Sequence, residues 1–401
     1  MDLGGRNSES GSFSDLTPAS GSRGVRALVL VGGRPEIERF GEFPLALLDV
    51  LGRSVLMRTL DRIRSAGIGE IAVLSDTDPL PPRLESASCK FSVASPECFW
   101  NEALQLFRGL SLHSERVLVI RLGAWAEVDL TALVNEHQRS GAAIMRAHSQ
   151  RGEALDVFAI ASGSQSEAAA LLRGELRDER VSTAVHKSYG YVNRLMAPAD
   201  LRILTLDAFA GECEIRPCGR ELRPGVWIGN GARVHRRARI LAPSFIGRFC
   251  KVRRAVIVTR GSSLEHHSEV DCATVIDNSS VMAYTRVGAG LDVECSIVGF
   301  NQVHSVQRNA TVEIEDPHLI GTTTAHFSAP LRIAAASWLF SFLPGILRKL
   351  LFEPRGEPVL GNASEVLVPS TPALGDSSLA PVESQTDAYR EMAETRRYGN
   401  E

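Results

Sequence analysis

Between residues 228 and 276, aliphatic side chains recur every six residues: Ile228, Val234, Ile240, Ile246, Val252, Val258, Leu264, Val270 and Ile276. Four positions after each stands a small or modest residue: Ala232, Ala238, Ser244, Cys250, Val256, Ser262, Ser268, Thr274 and Ser280. Helices repeat every 3.6 residues and strands every 2, so neither accounts for this spacing. A six-residue period is that of a β-helix, in which each hexad forms one short flat side and its aliphatic residue points into a continuous core. Three hexads close one triangular turn, so this stretch predicts about three coils. The register slips by one residue near Asp277–Val281, where a shortened corner is expected, and resumes at Val281, Val287 and Val293. It continues more loosely at Val306 and Val312.

The remaining chain leaves room for more than the coil. Its 401 residues allow two domains with tails, and a hydrophobic content of 44% with 23% charged residues is ordinary for a globular protein. A net charge of −3 favours neither nucleic acid nor an anionic membrane as a bulk partner, and no nucleic-acid role is expected. The seven cysteines show no Cys-x-x-Cys spacing, which argues against a disulfide framework or zinc site and fits a reducing cytoplasm. Cys250 and Cys272, on or near the coil pattern, are expected as small core fillers.

Residues 1–24 are rich in Gly, Ser and Asp, without an apolar signal-peptide core, and read as a disordered tail. Residues 354–401 read the same way. Between coil and tail, residues 326–353 form an apolar helical segment whose core is LRIAAASWLFSFLPGILRKLLF, residues 331–352. Its uncharged run is short for a spanning helix, which needs about 20 residues. Two readings stand: docking at a membrane interface, which would make the protein peripheral at the inner membrane face, or packing on protein.

The N-terminal part, residues 25–212, alternates strand and helix. Val25–Val31 is a buried apolar run ending at Gly32–Gly33. Helical spacing follows over Ser54–Ala66, Pro96–Leu110 and Thr131–Arg139. Strands are expected at Glu70–Leu74, Phe91–Ala94, Arg116–Ile120, Ala143–Ala147 and Asp156–Ala161. This is the pattern of a doubly wound, Rossmann-like α/β fold with a mostly parallel sheet, and ligands bind such sheets at the carboxyl ends of the strands.

The run ALVLVGG, followed by PLALLDVLGRSVLMRTLDRIRSAGIGEIAVLSD, resembles the opening of sugar-1-phosphate nucleotidyltransferases, the nucleotide-sugar pyrophosphorylases. Some members, including the mannose-1-phosphate guanylyltransferase-like group, carry a C-terminal left-handed β-helix. The resemblance spans roughly residues 25–320 and implies an α/β nucleotidyltransferase domain followed by a left-handed coil over 213–325. It also implies a nucleotide or sugar-phosphate ligand, Mg²⁺ if the site is active, and a homo-oligomer joined through the coil. The chemistry needs a glycine-rich loop against the phosphates, cationic side chains on the developing charge, and carboxylates on the metal.

At each of these roles the chain departs from the pattern. Gly32–Gly33 is followed by Arg34, Pro35 and Glu36 in place of Gly-Thr-Arg; Pro35 removes a donor and Glu36 brings negative charge. Arg34 or Arg39 is the candidate replacement for the missing arginine. Leu45 stands where the family has its lysine, and Gly123 where it has its metal-binding aspartate. The second metal position falls in SYGYVNRL, residues 188–195, which offers Asn193. Glu127 and Asp129 lie near Gly123 but match later acidic positions. Losing one electrostatic stabiliser alone costs about 10²–10³ in rate. The leading expectation is therefore a nucleotidyltransferase-like protein with eroded catalysis, a binding or regulatory partner in nucleotide-sugar or envelope-polysaccharide metabolism. An active pyrophosphorylase using Arg34, Arg39 or Glu127 is the alternative.

The coil raises a third reading, a hexapeptide acyltransferase, because those enzymes use a histidine base on a sugar hydroxyl or amine. His235, His266, His267 and His304 are the candidates, and the pair His266–His267 stands out, on a flat side after Leu264 with Glu265 placed to orient a ring. The coil arginines Arg233, Arg236, Arg237, Arg239, Arg248, Arg253, Arg254 and Arg260 suit a polyanion, a phosphorylated sugar, a partner subunit or solvent.

Overall fold

The computed structural model describes residues 24–33, 39–77 and 89–323. The terminal tails, the segment 326–353 and Arg34 lie outside the described residues. No helix among the described residues is long and apolar enough to cross a membrane.

The N-terminal half is built on a seven-stranded sheet of β1 (Val25–Val31), β2 (Ile71–Ser75), β3 (Cys89–Val93), β4 (Arg116–Arg121), β5 (Ile144–His148), β6 (Ala154–Ala161) and β7 (Ala184–Lys187), in the order β7-β5-β6-β4-β1-β2-β3. All neighbouring pairs are parallel except those of β6, which runs antiparallel to both β4 and β5. Among the described residues five helices flank the sheet: α1 (Val55–Ser65), α2 (Phe99–Ser111), α3 (Leu130–Ser140), α4 (Gln165–Arg173) and α5 (Pro198–Ala210). Alternation along β1 decides the layering. Ala27, Val29 and Val31 face a core with Leu56, Leu60 and Ile63 of α1, Leu133 of α3 and Leu201 and Leu204 of α5. Leu28 and Leu30 face the other core, with Phe99, Ala103 and Phe107 of α2 and Leu171 and Leu172 of α4. The sheet is thus covered on both faces, as buried parallel strands require.

Local signals set the helix ends. Ser54 caps α1 by accepting from the Met57 N–H at 3.2 Å, and Asp129 caps α3 by accepting from Ala132 N–H at 2.9 Å. Gly141 and Gly211 close α3 and α5 in the left-handed conformation. Helix α2 starts at Phe99, three residues after Pro96, because a turn at Ser95–Cys98 precedes it. The α4 and α5 helices carry the late part of the sheet and were not evident from periodicity; α4 is a short helix of nine residues.

The C-terminal half consists of three parallel ladders. One stacks Val226–Ile228, Ser244–Ile246, Ser262–Leu264, Ser280–Val281 and Ser296–Gly299; the second Arg233–Val234, Lys251–Val252, Glu269–Val270 and Thr285–Val287; the third Arg239–Ile240, Ile257–Thr259, Val275–Asp277 and Asp292–Glu294. The chain visits the ladders in turn, forming a three-sided coil. Partners are 18 residues apart at Ile246↔Leu264 and 17 apart at Leu264↔Val281, so the register slip is a corner shortened by one residue. Val252, Val258, Leu264, Val270, Ile276, Val281 and Val287 are all buried in one core. Ile228 and Val234 are only half-buried, since no earlier coil covers them. Corner residues Phe249, His267 and Tyr284 take φ near +57 to +59°, repeating one left-handed bend in successive coils.

Two expectations for the coil need correction. Val306 and Val312 do not continue it: after Gly299 the chain reverses at Phe300–Asn301, both with positive φ, and Gln302–Ser305 and Ala310–Glu313 pair antiparallel. Cys272 is exposed at a corner, whereas Cys250 is buried as expected. All seven cysteines are free.

The two halves share buried contacts. Phe245, Met282 and Ile297 of the coil join the core beneath α1 and α5. Arg202 of α5, 2% exposed, reaches across to donate to Gly261 O at 2.7 Å, Ser280 Oγ at 3.1 Å and Asn278 O at 3.2 Å.

Candidate functional site

A cavity of about 300 Å³ opens at the carboxyl end of β4, where a doubly wound sheet places its ligands. Leu45 and Ala46, from a short 3₁₀ turn over Leu45–Leu47, form part of its wall, and Arg121, Leu122 and Gly123 form another. The structure therefore brings Leu45 and Gly123 together in one cavity. It adds four arginines that no motif announced: Arg62 of α1, Arg121 at the end of β4, Arg177 after α4, and Arg194. Among the described residues Asp156 is the one acidic side chain in the lining.

The arginines are held in different ways. Arg62 donates to Ala126 O at 2.6 Å and Val128 O at 2.9 Å, and pairs with Glu214 at 3.3 Å. Arg194 pairs with Glu153 at 3.1 Å while remaining half-exposed at the rim. Arg121 lies 3.5 Å from Asp156, which is bonded more closely by Arg146 at 2.8 Å. The Arg121 Nε is buried and has no hydrogen-bond partner among the described residues. A buried cationic donor without a partner is costly unless a ligand completes it. Arginine presents a planar fork suited to phosphate or carboxylate oxygens, and the apolar walls at Leu45, Leu122, Leu155 and Leu195 suit the faces of a small organic body.

This donor set does not fit Mg²⁺. Six oxygen ligands are needed, usually with one or two free carboxylates; the lining offers one carboxylate already shared by two arginines. Among the described residues no cluster of three His, Cys, Asp or Glu side chains has metal-binding geometry.

Gly32 and Gly33, at the end of β1 next to β4, are not among the residues lining the cavity; their φ values are +104° and +83°. The turn they form is filled from within. Asp76, following β2, receives the Gly33 N–H at 3.0 Å and the Arg39 guanidinium at 2.9 Å on the same oxygen, Oδ2. Thr77 Oγ1 donates to its other oxygen at 2.9 Å. Glycine is required at both positions: a Cβ on Gly32 would lie 2.2 Å from the Asp76 carboxylate carbon, and one on Gly33 would lie 2.4 Å from the Phe99 ring. Arg39, the candidate phosphate ligand, is thus paired internally.

The other acidic and amide candidates are taken up in local bonds. Asn193 is buried; its amide donates to Asp200 O at 3.0 Å and accepts from Leu195 N–H at 3.0 Å, stapling the turn before α5. Glu127 accepts from Trp125 Nε1 at 2.9 Å and from Glu214 N–H at 2.5 Å, and Asp129 is the α3 cap.

The histidine pair lies at a coil corner against the N-terminal half, not on a free flat side. His266 is buried, with Nε2 3.0 Å from Asp49 Oδ2; the two touch but are off hydrogen-bond alignment. Its Nδ1 is 3.1 Å from His267 Nδ1, and His267 stacks on Tyr284. Glu265 orients no imidazole. It is 1% exposed and accepts from Leu51 N–H at 2.9 Å and Gly52 N–H at 2.7 Å. Burial, then the nearby Asp49 carboxylate, pushes its pKa up to about 8. Arg58, whose own pKa burial lowers, closes this cluster by donating to Val50 O at 2.8 Å. The cluster reads as a polar seam joining the two halves. Of the coil arginines, Arg253 pairs with Glu269 and Arg260 with Asp277, while Arg233, Arg236, Arg237, Arg239 and Arg254 are exposed on the outer strands and corners of the first two coils. Charge on such open strand edges discourages edge-to-edge pairing.

No protein-family profile matches the chain. No curated protein matches it either. Among solved structures, one similar chain is a Bacillus anthracis protein described as a glucose-1-phosphate thymidylyltransferase, in complex with sucrose, at 14% identity and a TM-score of 0.38, covering 48% of this chain and 96% of that one.

Proposed function

We propose that this chain is a nucleotidyltransferase-like binding protein that takes a sugar derivative bearing one phosphate or carboxylate group and does not run metal-dependent nucleotidyl transfer. Its coil is read as a left-handed β-helix that serves scaffolding and self-association. The observation that carries the reading is the composition of one cavity. Leu45 and Gly123, at the two positions where the family resemblance puts a lysine and a metal aspartate, line the same space as Arg62, Arg121, Arg177 and Arg194. Cationic recognition of an anion is retained, while the metal-binding set that stabilises a transferring phosphoryl group is gone.

Isothermal titration with glucose 1-phosphate, mannose 1-phosphate and glucuronate, against glucose as the neutral control, tests it. Saturable binding of an anionic sugar, weakened about tenfold or more by Arg121→Met, is the expected result. Binding no tighter for the anionic sugars than for glucose overturns the reading. So does release of pyrophosphate at ordinary enzyme rates from Mg²⁺, a nucleoside triphosphate and a sugar phosphate.

A further inference from the structure

We propose that Asp76 is a specificity residue: its carboxylate occupies the glycine turn at the end of β1 as an internal anion and rejects ligands that carry a polyphosphate. The proposal rests on the reading of the arginine cavity as the place where a singly anionic ligand binds, and it explains why that ligand would be accepted without a nucleotide beside it.

The turn has what an oxyanion requires. It offers a backbone N–H from Gly33 and a guanidinium from Arg39, converging on one point. Both donors meet at Asp76 Oδ2, and the carboxylate is held from behind by Thr77, whose Oγ1 donates to Oδ1 and whose backbone N–H is taken by Ser75 Oγ at 3.1 Å. The Asp76 side chain is 2% exposed, so it does not swing freely into solvent. Its carboxylate carbon lies 2.2 Å from where a Cβ on Gly32 would be, so the carboxylate already fills the space beside that glycine. The turn is rigid below as well: the Phe99 ring packs under Gly33, and Trp100 Nε1 donates to Gly33 O at 3.0 Å.

A phosphate reaching for the Gly33 N–H would meet a fixed negative charge in contact range and would have to displace it from two donors. Like charges this close weaken binding by about tenfold or more. Gly32 is therefore needed in this chain to admit the carboxylate of Asp76, and Gly33 to clear the Phe99 ring, independently of any ligand.

The test measures inorganic tripolyphosphate and ATP, without metal, by isothermal titration against wild type, Asp76→Asn and Asp76→Ala. Asn keeps the volume and removes the charge; Ala removes both. Affinity for tripolyphosphate is expected to rise in the order wild type, Asn, Ala, by about tenfold or more at the last step from wild type. The gain is expected to vanish in Asp76→Ala/Arg39→Ala. Folded variants, judged by circular dichroism and cooperative unfolding, that gain no affinity overturn the proposal and reduce Asp76 to a turn brace. Saturable tripolyphosphate binding by the wild type that Arg39→Ala abolishes overturns it without any Asp76 variant. Glucose 1-phosphate, run in parallel, reports on the cavity alone: its failure to bind wild type sinks the cavity reading, and the tripolyphosphate series still decides the role of Asp76.

Discussion

Raising the pH through the neutral range is expected to destabilise this fold through one buried carboxyl group. Glu265 is 1% exposed, and burial with the neighbouring Asp49 moves its pKa from 4.5 to about 8. Below 4.5 both folded and unfolded chains hold the proton, and this group adds no pH dependence. Between 4.5 and about 8 the unfolded chain has released it and the folded chain retains it, so the folded state binds more protons and stability falls as pH rises. Above that window both states are ionised and the loss is complete. One fully linked proton changes stability by about 1.4 kcal/mol per pH unit. The N–H groups of Leu51 and Gly52 and the charge of Arg58 favour the ionised form and oppose the shift. A loss of about 2–3 kcal/mol between roughly pH 6 and pH 8.5 follows.

Glu265→Gln separates this cause from general pH effects. The amide is neutral throughout, so the slope from this group disappears. It also turns a donor toward one of the two backbone N–H groups, which costs about 1–2 kcal/mol. The two stability curves should therefore cross, with the variant weaker near pH 6 and equal or stronger near pH 8.5. Urea unfolding followed by tryptophan fluorescence over that range gives both curves, provided the m-value is the same for each. A Glu265→Gln curve that runs parallel to the wild type would refute the reasoning, because the slope would then arise elsewhere.

Other perturbations read other parts of the structure. Arg202→Met removes the charged donor to Gly261, Asn278 and Ser280 at a buried contact between the halves; a loss of about 3–4 kcal/mol in urea unfolding is expected. Leu264→Ala empties part of the coil core where the side chain is 0% exposed, and calorimetry should show a loss of about 2–5 kcal/mol. Gly33→Ala forces a Cβ into the Phe99 ring at a φ of +83°, and a loss of at least about 2 kcal/mol should appear as a lowered urea midpoint.

The parts of the fold that were legible in the sequence are those whose signal is local. Val25–Val31 and Arg116–Arg121 are apolar runs, and Ser54 is a cap ahead of helically spaced residues, so each could be placed from its own neighbourhood. The hexads report themselves through repetition, and even the shortened corner before Val281 shows as a one-residue slip. The end of the coil was not legible. Val306 and Val312 keep a six-residue interval, but spacing cannot show that Phe300 and Asn301 adopt left-handed backbone and send the chain back. The site was legible at Leu45 and Gly123 through motif position alone. Its arginines come from separate elements brought together by the sheet, and no spacing in the chain links Arg62 to Arg121 or Arg194. Asp76 carried no signal for the same reason: its partners, Gly33 and Arg39, are more than 35 residues away.

The polar seam gives the coil a place in the architecture of the site. The chain that forms one cavity wall at Leu45 and Ala46 runs on through Leu48 and Asp49 to Leu51 and Gly52, whose N–H groups are held by Glu265 of the coil. Asp49, between wall and anchor, contacts His266 of the same corner. Arg58, one helical turn before Arg62, donates back to the carbonyls of Val50 and Leu51, so the anchor and the cavity arginine share a helix. Replacing a buried polar seam with apolar side chains can preserve stability, but it removes the directional bonds that set one register between two surfaces. A coil that only scaffolded self-association would not need to grip this segment. On the proposed function, one that also fixes the position of Leu45 and Ala46 against Arg121 does, because a wall displaced by an ångström would no longer confine the anion against its arginines.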